Sequence, residues 1–93
     1  MTVMAWPTEP LEQQALQATL DNLDNGVPWP QARDGIVFIN REARLPPERT
    51  GYYREYTVPT LGVTDRGARR IVTGAKGEIY YSADHYSTFV QVR

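Results

Sequence analysis

The 93-residue chain contains no cysteine, so it can build neither a disulfide nor a thiolate metal site. A cysteine-free sequence tolerates oxidising and reducing surroundings alike, which leaves the redox compartment open. It has a single histidine, His85, and a three-histidine zinc centre is therefore excluded. No apolar run is long enough to cross a bilayer, and no membrane partner is expected. Met1 to Pro10 lacks the basic start and the apolar stretch of a secretory signal. Lysine and arginine are missing from residues 1–32, which carry four acids.

The composition that remains is ordinary for a globular chain, 41% hydrophobic and 23% charged. Its length leaves room for one core, so residues 1–93 are expected to form a single domain. The net charge of −1 argues against a general nucleic-acid binder, but the charge is unevenly spread. Residues 33–70 hold eight arginines against five acids, a net of +3. Such segregation suits an anionic ligand on one side of a mildly acidic protein.

Tyr52 to Val58 is the most strand-like stretch, rich in aromatic and β-branched residues and bounded by Gly51 and Pro59. Alternation places Tyr53, Glu55 and Thr57 on one face, with Arg54, Tyr56 and Val58 on the other. A carboxylate at the centre of this segment would point into whatever groove the sheet leaves uncovered. Leu16, Leu20 and Leu23 recur at helical spacing, predicting an amphipathic helix over roughly residues 9–24. Thr8 is its expected N-cap and Asn25-Gly26 its stop. Val27 to Pro30 is a proline-stiffened connector. Further strands are expected at Ile36–Phe38, Ala68–Thr73, Ile79–Tyr81 and Asp84–Val90, with a hairpin turn at Gly74–Gly77. A helix followed by strands on short loops is an α+β domain, one helix packed on an antiparallel sheet.

Four features carry possible chemistry: Glu55, His85, the arginines at 66, 69 and 70, and the loop Asn40-Arg41-Glu42. Each alone has a plain structural explanation, as a solvated or hydrogen-bonded surface group. Together they form the set that RNA cleavage at phosphorus requires. A base must take the ribose 2′-hydroxyl proton and an acid must protonate the departing 5′-oxygen. Guanidinium groups match the phosphate oxygens and stabilise the charge that builds there. With reference pKa values of about 4.3 and 6.5, Glu and His are respectively ionised and protonated at mildly acidic pH. The nucleophile is internal to the substrate, so no metal and no other cofactor is needed.

Four blocks carry a resemblance: Asp34-Gly35-Ile36-Val37-Phe38-x-Asn40-Arg41-Glu42, Gly51-Tyr52-Tyr53-x-Glu55-Tyr56-Thr57-Val58, Arg66-Gly67-x-Arg69-Arg70-Ile71 and Asp84-His85-Tyr86-x-Thr88-Phe89. In order and spacing they resemble the guanyl-preferring microbial ribonucleases from about Gly26 to Phe89. The resemblance implies the microbial ribonuclease fold, with Glu55 as general base, His85 as general acid and Arg66 and Arg70 as phosphate ligands. It also implies that backbone N–H groups of the loop Phe38, Ile39, Asn40 and Arg41 bond guanine O6 and N7, while Glu42 takes the N1 and N2 protons. Adenine reverses donor and acceptor at positions 1 and 6, which gives this arrangement its selectivity. Arg41 and Tyr86 would flank the base and ribose, and Phe38 would wall the pocket.

The chain departs from the family pattern in four places. It lacks the family's disulfide, worth about 2–4 kcal/mol. Ile39 replaces a polar loop residue, Asp65 precedes Arg66 and could weaken its field, and Ala83 replaces a glycine beside the His85 loop. The function expected is a secreted, monomeric endoribonuclease cutting single-stranded RNA 3′ of guanosine through a 2′,3′-cyclic phosphate. Two alternatives stay open. One is a nuclease toxin module of the same chemistry, delivered into a target-cell cytoplasm and checked by a barstar-like acidic inhibitor. The other is a non-catalytic guanine- or RNA-binding domain.

Overall fold

A computed structural model describes residues 3–63 and 65–93. In chain order the elements are β1 (Val3–Met4), α1 (Pro10–Asp24), β2 (Ile36–Val37), β3 (Tyr53–Thr57), β4 (Arg70–Gly74), β5 (Ile79–Ser82) and β6 (Val90–Gln91). The sheet order is β1-β6-β5-β4-β3-β2. Strands β2 to β6 pair antiparallel, as expected, and the two-residue β1 adds a parallel partner at the β6 edge.

Helix α1 begins one residue later than the threonine at its entrance suggested. Glu9 is the N-cap: its backbone is extended, and its carboxylate accepts from the N–H groups of Glu12 at 2.8 Å and Leu11 at 3.2 Å. Those donors satisfy two of the groups a helix start leaves open, and they hold the Glu9 carboxyl below its ordinary range. At the other end Gly26 adopts φ +67°, a left-handed turn that releases the chain from the helix. Leu16 and Leu20 are fully buried against Val58, Ile71, Ile79 and Tyr81, with Leu23 packed beside them. Each such aliphatic chain contributes about 1.5–3 kcal/mol by leaving water. Trp29 of the connector joins this layer, its ring centroid 4.4 Å from that of Tyr56.

The opposite face of the sheet has a second, aromatic core of Leu45, Tyr52, Tyr53, Val72 and Tyr80, bordered by Phe38, Tyr86 and Phe89. The alternation read from the sequence therefore holds, with Glu55 and Thr57 turned away from the helix. One expected strand does not form. Residues 84–89 make a looped turn, and only Val90–Gln91 pairs with β5. The cause is local: Asp84 accepts from the N–H and hydroxyl of Thr88 and from the Ser82 hydroxyl, at 2.6–2.9 Å. Side-chain bonds of this kind compete with a strand ladder, and here they win.

Candidate active site

Strands β3 and β4 set Glu55 opposite Val72 and Thr57 opposite Arg70, so the carboxylate and the guanidinium of Arg70 are diagonal neighbours on the helix-free face. Glu55 is 9% exposed, and its Oε1 accepts a 2.8 Å hydrogen bond from the Tyr86 hydroxyl. Arg70 is 3% exposed; its Nη1 donates to the carbonyls of Arg69 at 2.8 Å and Gly67 at 3.0 Å. Its buried Nε has no partner among the described residues. A cation oriented by carbonyls, with a donor left over, is prepared to receive an anion.

His85 reaches this face from the loop after β5. Its backbone N–H donates to the Ala68 carbonyl at 2.9 Å. Both His85 (φ +54°) and Tyr86 (φ +75°) occupy the left-handed region, which costs non-glycine residues energy and needs a surrounding frame to persist. Asp84, Thr88 and Ser82 supply that frame, and the Ser82 hydroxyl also accepts from the Tyr86 N–H at 2.9 Å. The His85 ring lies edge-on to Tyr86 at 4.9 Å, and Phe38 packs on the other ring neighbours at 5.0 Å from Tyr86 and 5.9 Å from Phe89. Tyr86 thus touches the expected base, the expected acid and the wall of the expected base pocket. Burial pushes its phenol well above the usual range, the Glu55 bond and charge add to this, and the fields of Arg70 and Arg66 offset part of it. The shift favours the protonated phenol, the form that donates to Glu55.

Arg66 is held differently from the way its neighbours in sequence suggested. Its Nε and Nη2 donate to the Thr57 hydroxyl at 3.0 and 2.8 Å, and Nη2 lies 3.6 Å from Asp34 Oδ1. Asp65 accepts from the Gly67 N–H at 2.8 Å, folding its own turn. The carboxylate beside Arg66 is thus that of Asp34, 1% exposed. Asp34 and Thr57 were not among the candidate residues. Asp34 stands in one of the resembling blocks without a role of its own, and nothing local marks its partnership with a distant arginine.

The loop after β2 is shaped by Asn40, whose φ is +58°. Its side chain accepts from the Leu45 N–H at 3.1 Å and donates to the Leu45 carbonyl at 3.0 Å. Asn40 therefore serves the loop with its amide and leaves only its backbone for a ligand. The backbone N–H of Phe38 bonds Tyr53 and that of Ala43 bonds Asn40. Between them, the N–H groups of residues 39–42 have no partner among the described residues. Ile39, Arg41 and Glu42 are exposed, and Glu42 makes a 3.4 Å surface ion pair with Arg44 that costs little to exchange. The site is an open surface. A half-open pocket of about 390 Å³ lies between α1, the Trp29 connector and Arg66.

The chain is similar to known proteins in sequence and in fold. The chain is 57% identical over 75 residues to guanyl-specific ribonuclease Sa3 of Kitasatospora aureofaciens, covering 80% of this chain and 53% of that protein. It thus spans about half the length of that relative. It is 53% identical over 72 residues to guanyl-specific ribonuclease Sa of the same organism, covering 76% of this chain and 75% of the relative. A crystal structure of ribonuclease Sa2 with guanosine-2′-cyclophosphate, 43% identical, covers all of this chain and 97% of that one with a TM-score of 0.87. The family model described as ribonuclease matches residues 6–93, and the chain therefore belongs to the ribonuclease family.

Proposed function

We propose that this protein is a guanyl-preferring endoribonuclease that cleaves single-stranded RNA by metal-independent acid–base catalysis. The observation that carries the proposal is the convergence of Glu55, His85 and Phe38 on Tyr86, under the fields of Arg66 and Arg70. The Glu55 carboxylate takes the proton of the ribose 2′-hydroxyl as that oxygen attacks phosphorus. The bond from phosphorus to the 5′-oxygen breaks, and the His85 imidazolium supplies the proton that the leaving oxygen needs. The products are a 2′,3′-cyclic phosphate and a 5′-hydroxyl. In the second step the neutral imidazole takes a proton from water as the water oxygen bonds phosphorus, and the Glu55 carboxylic acid returns one to the 2′-oxygen as its bond to phosphorus breaks, leaving a 3′-phosphate. Arg66 and Arg70 stabilise the charge on the equatorial phosphate oxygens in both steps.

Guanine preference follows from the loop after β2. Unpartnered N–H groups at residues 39–42 offer donors to O6 and N7, and the Glu42 carboxylate accepts from N1 and N2. Relatives named guanyl-specific, and one bound to guanosine-2′-cyclophosphate, support the same reading. Mixing the protein with GpN and ApN dinucleotides tests it. We expect the cyclic guanosine product first, undiminished by EDTA, with ApN far slower. Replacing Glu42 by alanine should narrow the GpN-to-ApN ratio by about 10- to 100-fold, the discrimination a good base-edge pair supplies. If no cyclic intermediate forms, or if chelation stops cleavage, the proposal is wrong.

A further inference from the structure

We infer that Asp34 and Thr57 are positioning residues for catalysis, acting through Arg66, whose contact with phosphate belongs to the function proposed above. The hydrogen-bond directions follow from the donor inventory alone. A guanidinium has only donors, so the Thr57 hydroxyl must accept from both Arg66 Nε at 3.0 Å and Nη2 at 2.8 Å. Its two lone pairs are then filled, and its own proton has one place to go: Asp34 Oδ1, at 2.7 Å. The same oxygen accepts the Thr57 backbone N–H at 2.6 Å, which pins the carboxylate to β3. Donation thus runs one way, from Arg66 through Thr57 to Asp34.

The consequences reach the substrate. Two of the five guanidinium N–H groups are spent on Thr57, so the plane of Arg66 is fixed and three donors are left for phosphate. A long flexible side chain, only half-buried, would otherwise lose rotamer freedom each time it met the phosphate. The Asp34 side chain is buried, with Oδ1 engaged twice by Thr57 and Oδ2 without a partner among the described residues, so the carboxylate is held from the β3 side behind Arg66. Its negative charge orients the hydroxyl without neutralising the arginine by a direct hydrogen bond, since Nη2 stands 3.6 Å away. Glu55 and Tyr86 contribute nothing to this relay, and neither does the base-binding loop. Its failure should therefore be felt at the phosphate alone.

Calorimetric titration of guanosine and of guanosine 3′-monophosphate separates the two contributions, because their difference in affinity is the increment due to phosphate. Thr57→Val should shrink that increment, and kcat on GpN, by about tenfold to a hundredfold, the cost of a misplaced catalytic group, while guanosine binds as before. Thr57→Ser, which restores the hydroxyl, should recover most of both. Asp34→Asn tests the same relay if the valine variant does not fold. It keeps Thr57 but weakens its acceptor, and the phosphate increment should fall again. A structural role alone would move both ligands together. An unchanged increment in Thr57→Val, or in Asp34→Asn where the first cannot be purified, overturns the relay provided Arg66→Ala removes the increment. If Arg66→Ala leaves the increment whole, the phosphate role of Arg66 itself falls, and the relay with it.

Discussion

The two faces of the sheet are stabilised by different means. On the helix side, Leu16, Leu20, Val58, Ile71 and Ile79 form an aliphatic layer almost closed to solvent, joined by Thr19 and Tyr81, whose hydroxyls donate to the Ala15 carbonyl and to Glu12. On the other side, buried tyrosines, a glutamate, a threonine and an arginine share the surface, and nearly every one is tied by a directed bond. Tyr52 donates to Glu78 at 2.6 Å, which together with burial pushes its phenol up to about 12. Tyr53 donates to the Pro46 carbonyl at 2.7 Å and so holds the end of the base-binding loop. The lesson is a division of labour. Non-directional burial supplies stability on one face, and hydrogen-bonded polar groups fix geometry on the other.

The sharpest break in that division should come from the acid–base pair. His85 is exposed, its ring lies edge-on to Tyr86, and its backbone N–H is independent of its side chain. Replacing it by glutamine should lower kcat by about 10²- to 10⁴-fold, the usual contribution of a general acid, with the thermal midpoint nearly unmoved. Glu55→Gln should lose activity on the same scale and distort the acid limb of the pH–rate profile. A large drop in thermal midpoint for His85→Gln would show that the loop is a stability element, contrary to the comparison.

The converse is a lesion on the helix face. Ile71 is fully buried between α1 and the sheet, and Ile71→Ala should destabilise the fold by about 2–5 kcal/mol through lost transfer energy and the cavity left behind. Urea denaturation measures the loss. Among molecules still folded, guanosine affinity and kcat should be retained, because Ile71 faces away from Glu55 and Arg70. A fall in kcat matching that of His85→Gln would mean that the two faces are coupled through β4 and do not divide the work.

Which parts could be read from the sequence follows the same division. Alternation is a local pattern, so the face occupied by Glu55 and the helix stripe of Leu16 and Leu20 were both legible. Family blocks located His85, Arg66 and Arg70 without saying what held them. The cap at Glu9, the brace made by the Asn40 amide and the relay to Asp34 were hidden, because a side-chain oxygen's partner is chosen by tertiary geometry and not by its neighbours in sequence. The failure at residues 84–89 has the same origin: aromatic and hydroxyl residues favour a strand, but Asp84 turns their donors inward. At the end of the chain, β1 pairs beside β6, and Arg93 makes a paired contact with Asp24 at 2.7 and 2.9 Å. That pair is exposed and screened by solvent, so it adds little.

The smallest effect is also the most discriminating, because each face has a carboxylate whose pKa folding lowers. For Asp84, burial raises the value but bonds from Thr88 and Ser82 outweigh it, leaving the group below the ordinary 3.8. For Glu9, the N–H groups of Glu12 and Leu11 lower it below 4.5. A carboxyl group with a depressed folded pKa stabilises the protein above its unfolded value and ceases to do so as pH falls through the folded one. Thermal midpoints measured from pH 6 down to pH 2 should therefore fall less steeply in Asp84→Asn and in Glu9→Gln than in the parent. The variants part company in activity. Asp84 frames the strained backbone at His85 and Tyr86, so Asp84→Asn should also lower kcat at pH 6, whereas Glu9→Gln caps a helix on the far face and should leave kcat unchanged. Equal kcat in both variants would mean that the loop keeps its shape without Asp84, and that the polar face owes its geometry to packing after all.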